Sequence, residues 1–155
     1  MNKNPIIDPK LVEPNIPYTL TINPNDDYQF FKENMEDRIK KSVNHMNYIL
    51  KNYTCLHINL QMDISRTGRI HWHGTITFPC EMSIKRFFFE IIHELLTKHI
   101  IEIDTIEDLV KWTEYMNKLK WLNVNVSTKT CCKRMKEILC TSKDNIQRDF
   151  NDFLQ

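Results

Sequence analysis

The sequence predicts an α+β domain: a central, mostly antiparallel β-sheet of about five strands flanked by helices. Three observations predict it. Several segments alternate apolar and polar residues with the period of two that marks a half-buried strand. Between them lie stretches whose apolar residues recur at helical spacing. A tight turn at Arg66-Thr67-Gly68 joins the two most regular alternating segments and makes them antiparallel neighbours. A length of 155 residues suits one such domain with a single core.

Residues 1–16 hold Pro5, Pro9 and Pro14 without periodicity and read as an irregular, partly mobile lead-in. Residues 17–127 form the domain, and 128–155 a C-terminal helical segment packed on it. Tyr18-Thr19-Leu20-Thr21-Ile22-Asn23 alternates as the first strand. Pro24-Asn25-Asp26-Asp27 ends it and starts a long helix to about Asn52, with Phe30, Phe31, Met35, Ile39, Val43, Met46 and Ile49/Leu50 on its apolar face. Leu56, Ile58, Leu60, Met62 and Ile64 then share one strand face, and His57, Asn59, Gln61 and Asp63 the other. In the next strand Ile70, Trp72, Ile76 and Phe78 oppose Arg69, His71, His73, Thr75 and Thr77. A three-residue loop with Gly68 in the left-handed position pairs Ser65 with Arg69. That register sets Asp63 against His71, Gln61 against His73, Met62 against Trp72 and Ile58 against Ile76. Slipping it by one residue would break both faces.

A helix follows from about Ser83 to Lys98, then a short strand His99 to Ile103. Thr105-Ile106-Glu107-Asp108 has the pattern of a capping box, opening a helix to about Lys120 that Leu109, Trp112, Met116 and Leu119 would anchor. Leu122 to Val126 reads as a last strand, and residues 129 to 153 as helical and polar.

Composition narrows the chemistry. A formal net charge of +1 gives no global case for nucleic acid, so a basic site must be local. The run Lys129, Lys133, Arg134 and Lys136 is better explained as a solvated helix face. The five cysteines (55, 80, 131, 132 and 140) make no paired CxxC pattern, and no signal-peptide or membrane-spanning pattern accompanies them. Reduced thiols in an intracellular protein, with no membrane partner, are expected. Adjacent Cys131 and Cys132 point apart, which favours helical packing over a zinc site with Cys140. The only glycines, Gly68 and Gly74, leave no P-loop and no dinucleotide fingerprint. Any chemistry therefore uses side chains and a metal.

His71 and His73 share the polar strand face and can hold one divalent ion. An HxH on a strand is more often unrelated to metal, but the predicted register adds Asp63 as a third donor. Two imidazoles and a carboxylate with open positions suit Mn²⁺, Mg²⁺ or another first-row metal, zinc included. Gln61 offers an alternative or supplementary oxygen ligand. Farther on, Lys111, Tyr115 and Lys118 fall within a helical sector of about 60°. A Tyr-x-x-Lys tetrad is common and carries little alone. A neighbouring cation or metal would nevertheless stabilise a Tyr115 phenolate.

The combination resembles the HUH-type replication-initiator endonucleases (Rep proteins) of small circular single-stranded DNA viruses and related plasmids. Tyr18-Thr19-Leu20-Thr21-Ile22-Asn23 looks like that family's first motif, Arg69-Ile70-His71-Trp72-His73-Gly74 its metal motif, and Tyr115-Met116-Asn117-Lys118 its nucleophile motif. They occur in family order over about residues 17 to 120. Asp63 stands where many relatives have glutamate.

The resemblance implies an HUH endonuclease fold and a metal-dependent, sequence-specific nickase and strand-joining enzyme that initiates rolling-circle replication. Asp63, His71 and His73 would bind Mn²⁺ or Mg²⁺, Tyr115 would form a 5′-phosphotyrosine, and Lys118 would steady charge. Thr19, Thr21, Asn23, Arg66, Arg69 and Lys111 are the expected DNA contacts. The expected partner is single-stranded DNA at an origin hairpin, with self-association and a helicase acting in trans as further expectations. A eukaryotic viral source would imply the host nucleus. Two other readings fit the same residues: a single-tyrosine transposase of the same superfamily, and a non-enzymatic nucleic-acid-binding α+β module.

Overall fold

The computed structural model describes residues 6–24, 34–51, 53, 56–97, 99–118 and 122–128. It shows the expected α+β architecture. Strands β1 (Pro17–Pro24), β2 (His57–Ile64), β3 (Ile70–Thr77), β4 (His99–Thr105) and β5 (Asn125–Ser127) form one sheet in the order β4-β1-β3-β2-β5. Every neighbouring pair is antiparallel. The helices are α1 (Met35–Leu50), α2 (Glu81–Arg86) and α3 (Ile92–Leu96), the last two joined by a π-turn at Phe87–Ile91, and α4 (Leu109–Lys118). Among the described residues no helix is long and apolar enough to cross a membrane.

The core lies on one face of the sheet. Tyr18, Leu20 and Ile22 of β1, Ile58 to Ile64 at alternate positions of β2, and Trp72 and Ile76 of β3 all turn to it. Ile39, Val43, Met46 and Leu50 of α1 and Phe87, Phe88, Ile91, Ile92 and Leu95 complete it. Burial of a large side chain such as Trp72 contributes about 2–3 kcal/mol. Its indole N–H also donates to Ser42 Oγ at 3.0 Å, fixing α1 against β3.

The hairpin has the register the alternation predicts. Asp63 faces His71, Gln61 faces His73, Met62 faces Trp72 and Ile58 faces Ile76. Ser65 N donates to Arg69 O at 2.9 Å, Gly68 N donates to Ser65 O at 2.8 Å, and Gly68 takes φ 85°. The buried Arg38 of α1 donates its guanidinium to the Gly68 carbonyl, which ties the turn to the helix layer.

Several boundaries differ from expectation. The helix does not run unbroken from Asp27: Asn34 is extended, and its side chain accepts from Asp37 N, so α1 begins at Met35. Phe30 and Phe31 lie outside the described residues. Residues 81–96 start the next helix two positions before Ser83, with Cys80 at its N-cap.

The segment Thr105 to Asp108 is not a capping box. Thr105 still pairs with Tyr18 in the sheet, and Asp108 alone caps α4 through Lys111 N. The described part of the lead-in, residues 6–16, is irregular and docked on the sheet: Ile6 bridges Ile103, Val12 is buried, and Glu13 N donates to Tyr18 Oη. β5 starts only at Asn125, because Asn123 sits at φ 53° and cannot join a strand. Cys80 is free and exposed. The other four cysteines, the basic run and the C-terminal helical segment fall outside the described residues.

Candidate metal centre and active site

The face of the sheet opposite the core carries the polar side chains. Because opposed residues in an antiparallel pair share a face, the register generates rows across the sheet. One row runs Glu102, Thr21, His73, Gln61, Asn125, and the next runs Asp104, Thr19, Thr75, Asn59, Ser127. Asp63 and His71 lie just beyond the first row.

Asp63, His71 and His73 converge, each offering one ligand atom within 4.8 Å of the others. Asp63 Oδ2 is 3.0 Å from His71 Nε2, while Asp63 Oδ1 accepts from Ile64 N at 2.9 Å. The His71 and His73 rings meet edge to face, centroids 4.7 Å apart. Thr21 Oγ1 lies 3.2 Å from His73 Nδ1, which leaves Nε2 as the ring nitrogen for a ligand. All three donors are half-buried.

The electrostatics suit a cation. Burial, and then the neighbouring His71, push the His73 imidazole down to about 4, so it is unprotonated at neutral pH. The hydrogen bond with His71 holds the Asp63 carboxyl below its ordinary range, against an opposing push from burial. The Asp63 carboxylate and the unprotonated His73 imidazole stand ready for a cation, which would displace the proton shared between His71 and Asp63. Two donors bound to one ion at about 2.1 Å stand roughly 3.0 Å apart at a right angle, the separation of Asp63 Oδ2 and His71 Nε2. The donor set therefore fits a divalent metal.

Tyr115 comes from a different element and reaches the same place. Its ring meets His73 edge-on, centroids 5.7 Å apart, and lies 5.5 Å from the Trp112 ring at 35°. Tyr115 is 39% exposed and lines an open cleft. Burial, and then the Asp63 charge, raise the phenol, which is protonated in the metal-free protein.

The other expected site residues are scattered around this centre. Gln61 faces His73 across the hairpin. Arg66 and Arg69 sit exposed at the turn, and Lys118 is exposed at the C-terminal end of α4. Asn23 faces Ile100. Thr19 donates to the Asp104 carbonyl at 3.3 Å. Lys111 and Thr19 line an open cleft of about 400 Å³ with Asp104, Asp108, Trp112 and Tyr115, so this lysine stands in acidic company. Of the four residues expected to anchor α4, Trp112 and Met116 are half-buried, the least exposed of the helix, whereas Leu109 is 62% exposed and Leu119 lies outside the described residues.

Sequence reasoning missed three features. Thr21 supports His73, a role its place one strand over from the histidine could have signalled. The half-buried Trp112 packs beside the tyrosine ring. A second open cleft of about 440 Å³, lined by His57, Asn59, Thr75, Asn125 and Ser127, continues the polar face beyond Gln61. Compared with protein-family models, with curated proteins and with solved structures, this chain matches none of them.

Proposed function

We propose that the chain is a metal-dependent, sequence-specific single-stranded DNA endonuclease and strand-joining enzyme, of the kind its motifs resemble among HUH replication initiators. The observation that carries this reading is the meeting of the Asp63, His71 and His73 donors with a tyrosine from a separate helix. A lone HxH or a lone Tyr-x-x-Lys supports no such chemistry; their convergence does.

Asp63, His71 and His73 would hold Mn²⁺ or Mg²⁺. When bound, such an ion would polarise a phosphate oxygen and cancel the Asp63 charge that works against a Tyr115 phenolate. Tyr115 Oη gives up its proton and bonds to phosphorus, the bond from phosphorus to the 3′ oxygen breaks, and that oxygen leaves as a hydroxyl after taking a proton. The 5′-phosphate stays on the tyrosine. The ester keeps the energy of the cleaved bond, so a later 3′-hydroxyl can reverse the step and join strands. The free 3′-hydroxyl would prime rolling-circle synthesis.

Thr21 holds the His73 ring, and Lys118, one turn beyond Tyr115, would steady developing charge. Thr19, Asn23, Arg66, Arg69 and Lys111 would bind the strand. Its target would be an origin hairpin, unwound by a helicase acting in trans.

Incubation with Mn²⁺ and a pool of randomised single-stranded DNA tests the reading. A denaturation-resistant protein–DNA band is expected. Tyr115→Phe, His71→Ala or a chelator should each reduce it by more than about a hundredfold. A band that survives Tyr115→Phe would move the nucleophile elsewhere. DNA binding without any band would favour the non-enzymatic module. Strong preference for paired hairpin ends, with obligate dimers, would favour the transposase.

A further inference from the structure

We propose a second metal site, for a borderline transition ion such as Zn²⁺, on the opposite face of the sheet and built on His45 and His99. The two Nε2 atoms lie 3.1 Å apart, with ring centroids 5.0 Å apart and planes tilted by 50°. His45 is an exposed residue of α1. His99 opens β4 and is 4% exposed. His99 keeps the parity of the buried Ile101 and Ile103, so it turns to the helix-covered face, away from His71 and His73.

The spacing is that of two ligands to one ion. Nitrogens held at about 2.0–2.1 Å stand roughly 3.3 Å apart at a tetrahedral angle and roughly 2.9 Å at a right angle. The observed 3.1 Å falls between these values. Both rings line a cavity of about 110 Å³ together with Tyr53 and Glu94, with Ile49 and Leu95 as apolar walls. Glu94 lines the same cavity but does not converge on the two rings as Asp63 does on His71 and His73, and its side chain would turn inwards to reach an ion. The Glu94 charge, after burial, helps push the Tyr53 phenol up, which puts the carboxylate close to the cavity.

A pair of imidazole nitrogens is a donor set that zinc, nickel and copper accept. His45 on α1, Glu94 on α3 and His99 on β4 come from three separate parts of the chain. An ion there would clip the helix layer to the sheet edge. The same nitrogen–nitrogen distance would also serve a shared proton, and metal titration separates the two uses.

The test uses the full chain, stripped with chelator, and Zn²⁺ followed by calorimetry. His71→Ala/His73→Ala removes the first centre. This variant should still bind one zinc, and adding His45→Ala should weaken that binding at least about tenfold. With Co²⁺ in place of zinc, visible ligand-field bands should persist in the double variant and vanish with His45→Ala. A folded double variant that binds no zinc overturns the proposal, as does zinc binding indifferent to His45→Ala. Should the double variant not fold, wild type is compared with His45→Ala: loss of one zinc equivalent supports the site, and unchanged stoichiometry overturns it. Neither result depends on nuclease activity.

Discussion

The Thr21 hydroxyl and the Asp63 carboxylate act on the two histidines in different ways, and each leads to a measurable effect. Thr21 sits behind His73 and fixes its ring. Thr21→Val keeps the strand shape and removes the hydroxyl, so Mn²⁺ affinity should fall about tenfold while melting temperature hardly changes. Equal affinity in the two proteins would show that the ring needs no such support. The buried His73 has a folded-state value of about 4 against 6.5 for an ordinary imidazole. Protons therefore bind the unfolded chain first. In chelator-treated protein stability should drop as pH falls from about 6.5 towards 4, and this contribution levels off below that. Asp63 acts in the next window: its depressed value gives stability that is present above the unfolded carboxyl's range and lost as pH falls through the folded value. Between pH 7.5 and 5, wild type should lose on the order of 5 °C more than His73→Gln. Parallel melting curves would mean that this ring takes protons as readily folded as unfolded.

The β2–β3 hairpin shows why some elements were readable and others were not. Alternation with a period of two, closed by one glycine, fixes both faces at once, so the donors Asp63, His71 and His73 were legible from residue order. Gly74 adds a constraint no periodicity reveals. A methyl carbon there would stand 1.8 Å from the Asn59 carbonyl oxygen and 2.8 Å from Leu60 Cα. Gly74→Ala should cost about 3 kcal/mol or more, read by urea denaturation, because backbone rather than a flexible side chain must yield. A loss under about 1 kcal/mol would show that the strands separate easily.

The start of α1 was hidden because Asn25-Asp26-Asp27 offers an earlier helix-start signal than Asn34, the residue that caps the helix. Helical spacing could not show the π-turn that buries both Phe87 and Phe88 and leaves Phe89 exposed. The anchoring of α4 was legible only in part, for a related reason. Its apolar stripe is only partly covered among the described residues: Trp112 and Met116 are half-buried while Leu109 is exposed, and the Trp112 ring also packs beside Tyr115.

At the scale of the molecule, the sheet divides the labour: one face carries the core and the other the candidate chemistry. Near-neutral net charge then limits how strongly the protein can hold DNA without regard to sequence. If Arg66, Arg69, Lys111 and Lys118 all meet phosphates, log affinity for single strands should fall against log salt with a slope of about −3. Fluorescence anisotropy between 50 and 200 mM salt measures it, at the range over which such slopes are commonly resolved (~50–200 mM). A slope steeper than about −5 would bring in cations beyond these four. The alternating hairpin also constrains how the chain can change length. Asp63, His71 and His73 occupy odd positions, while Ile64, Ile70 and Trp72 at even positions fill the core. Inserting or deleting a single residue within either strand would send the donors into the core and the core residues into solvent beyond that point. Length variants should therefore survive only at the turn 66–68 or outside the strands, and a library of one-residue insertions would trace the two strands as a gap in the survivors.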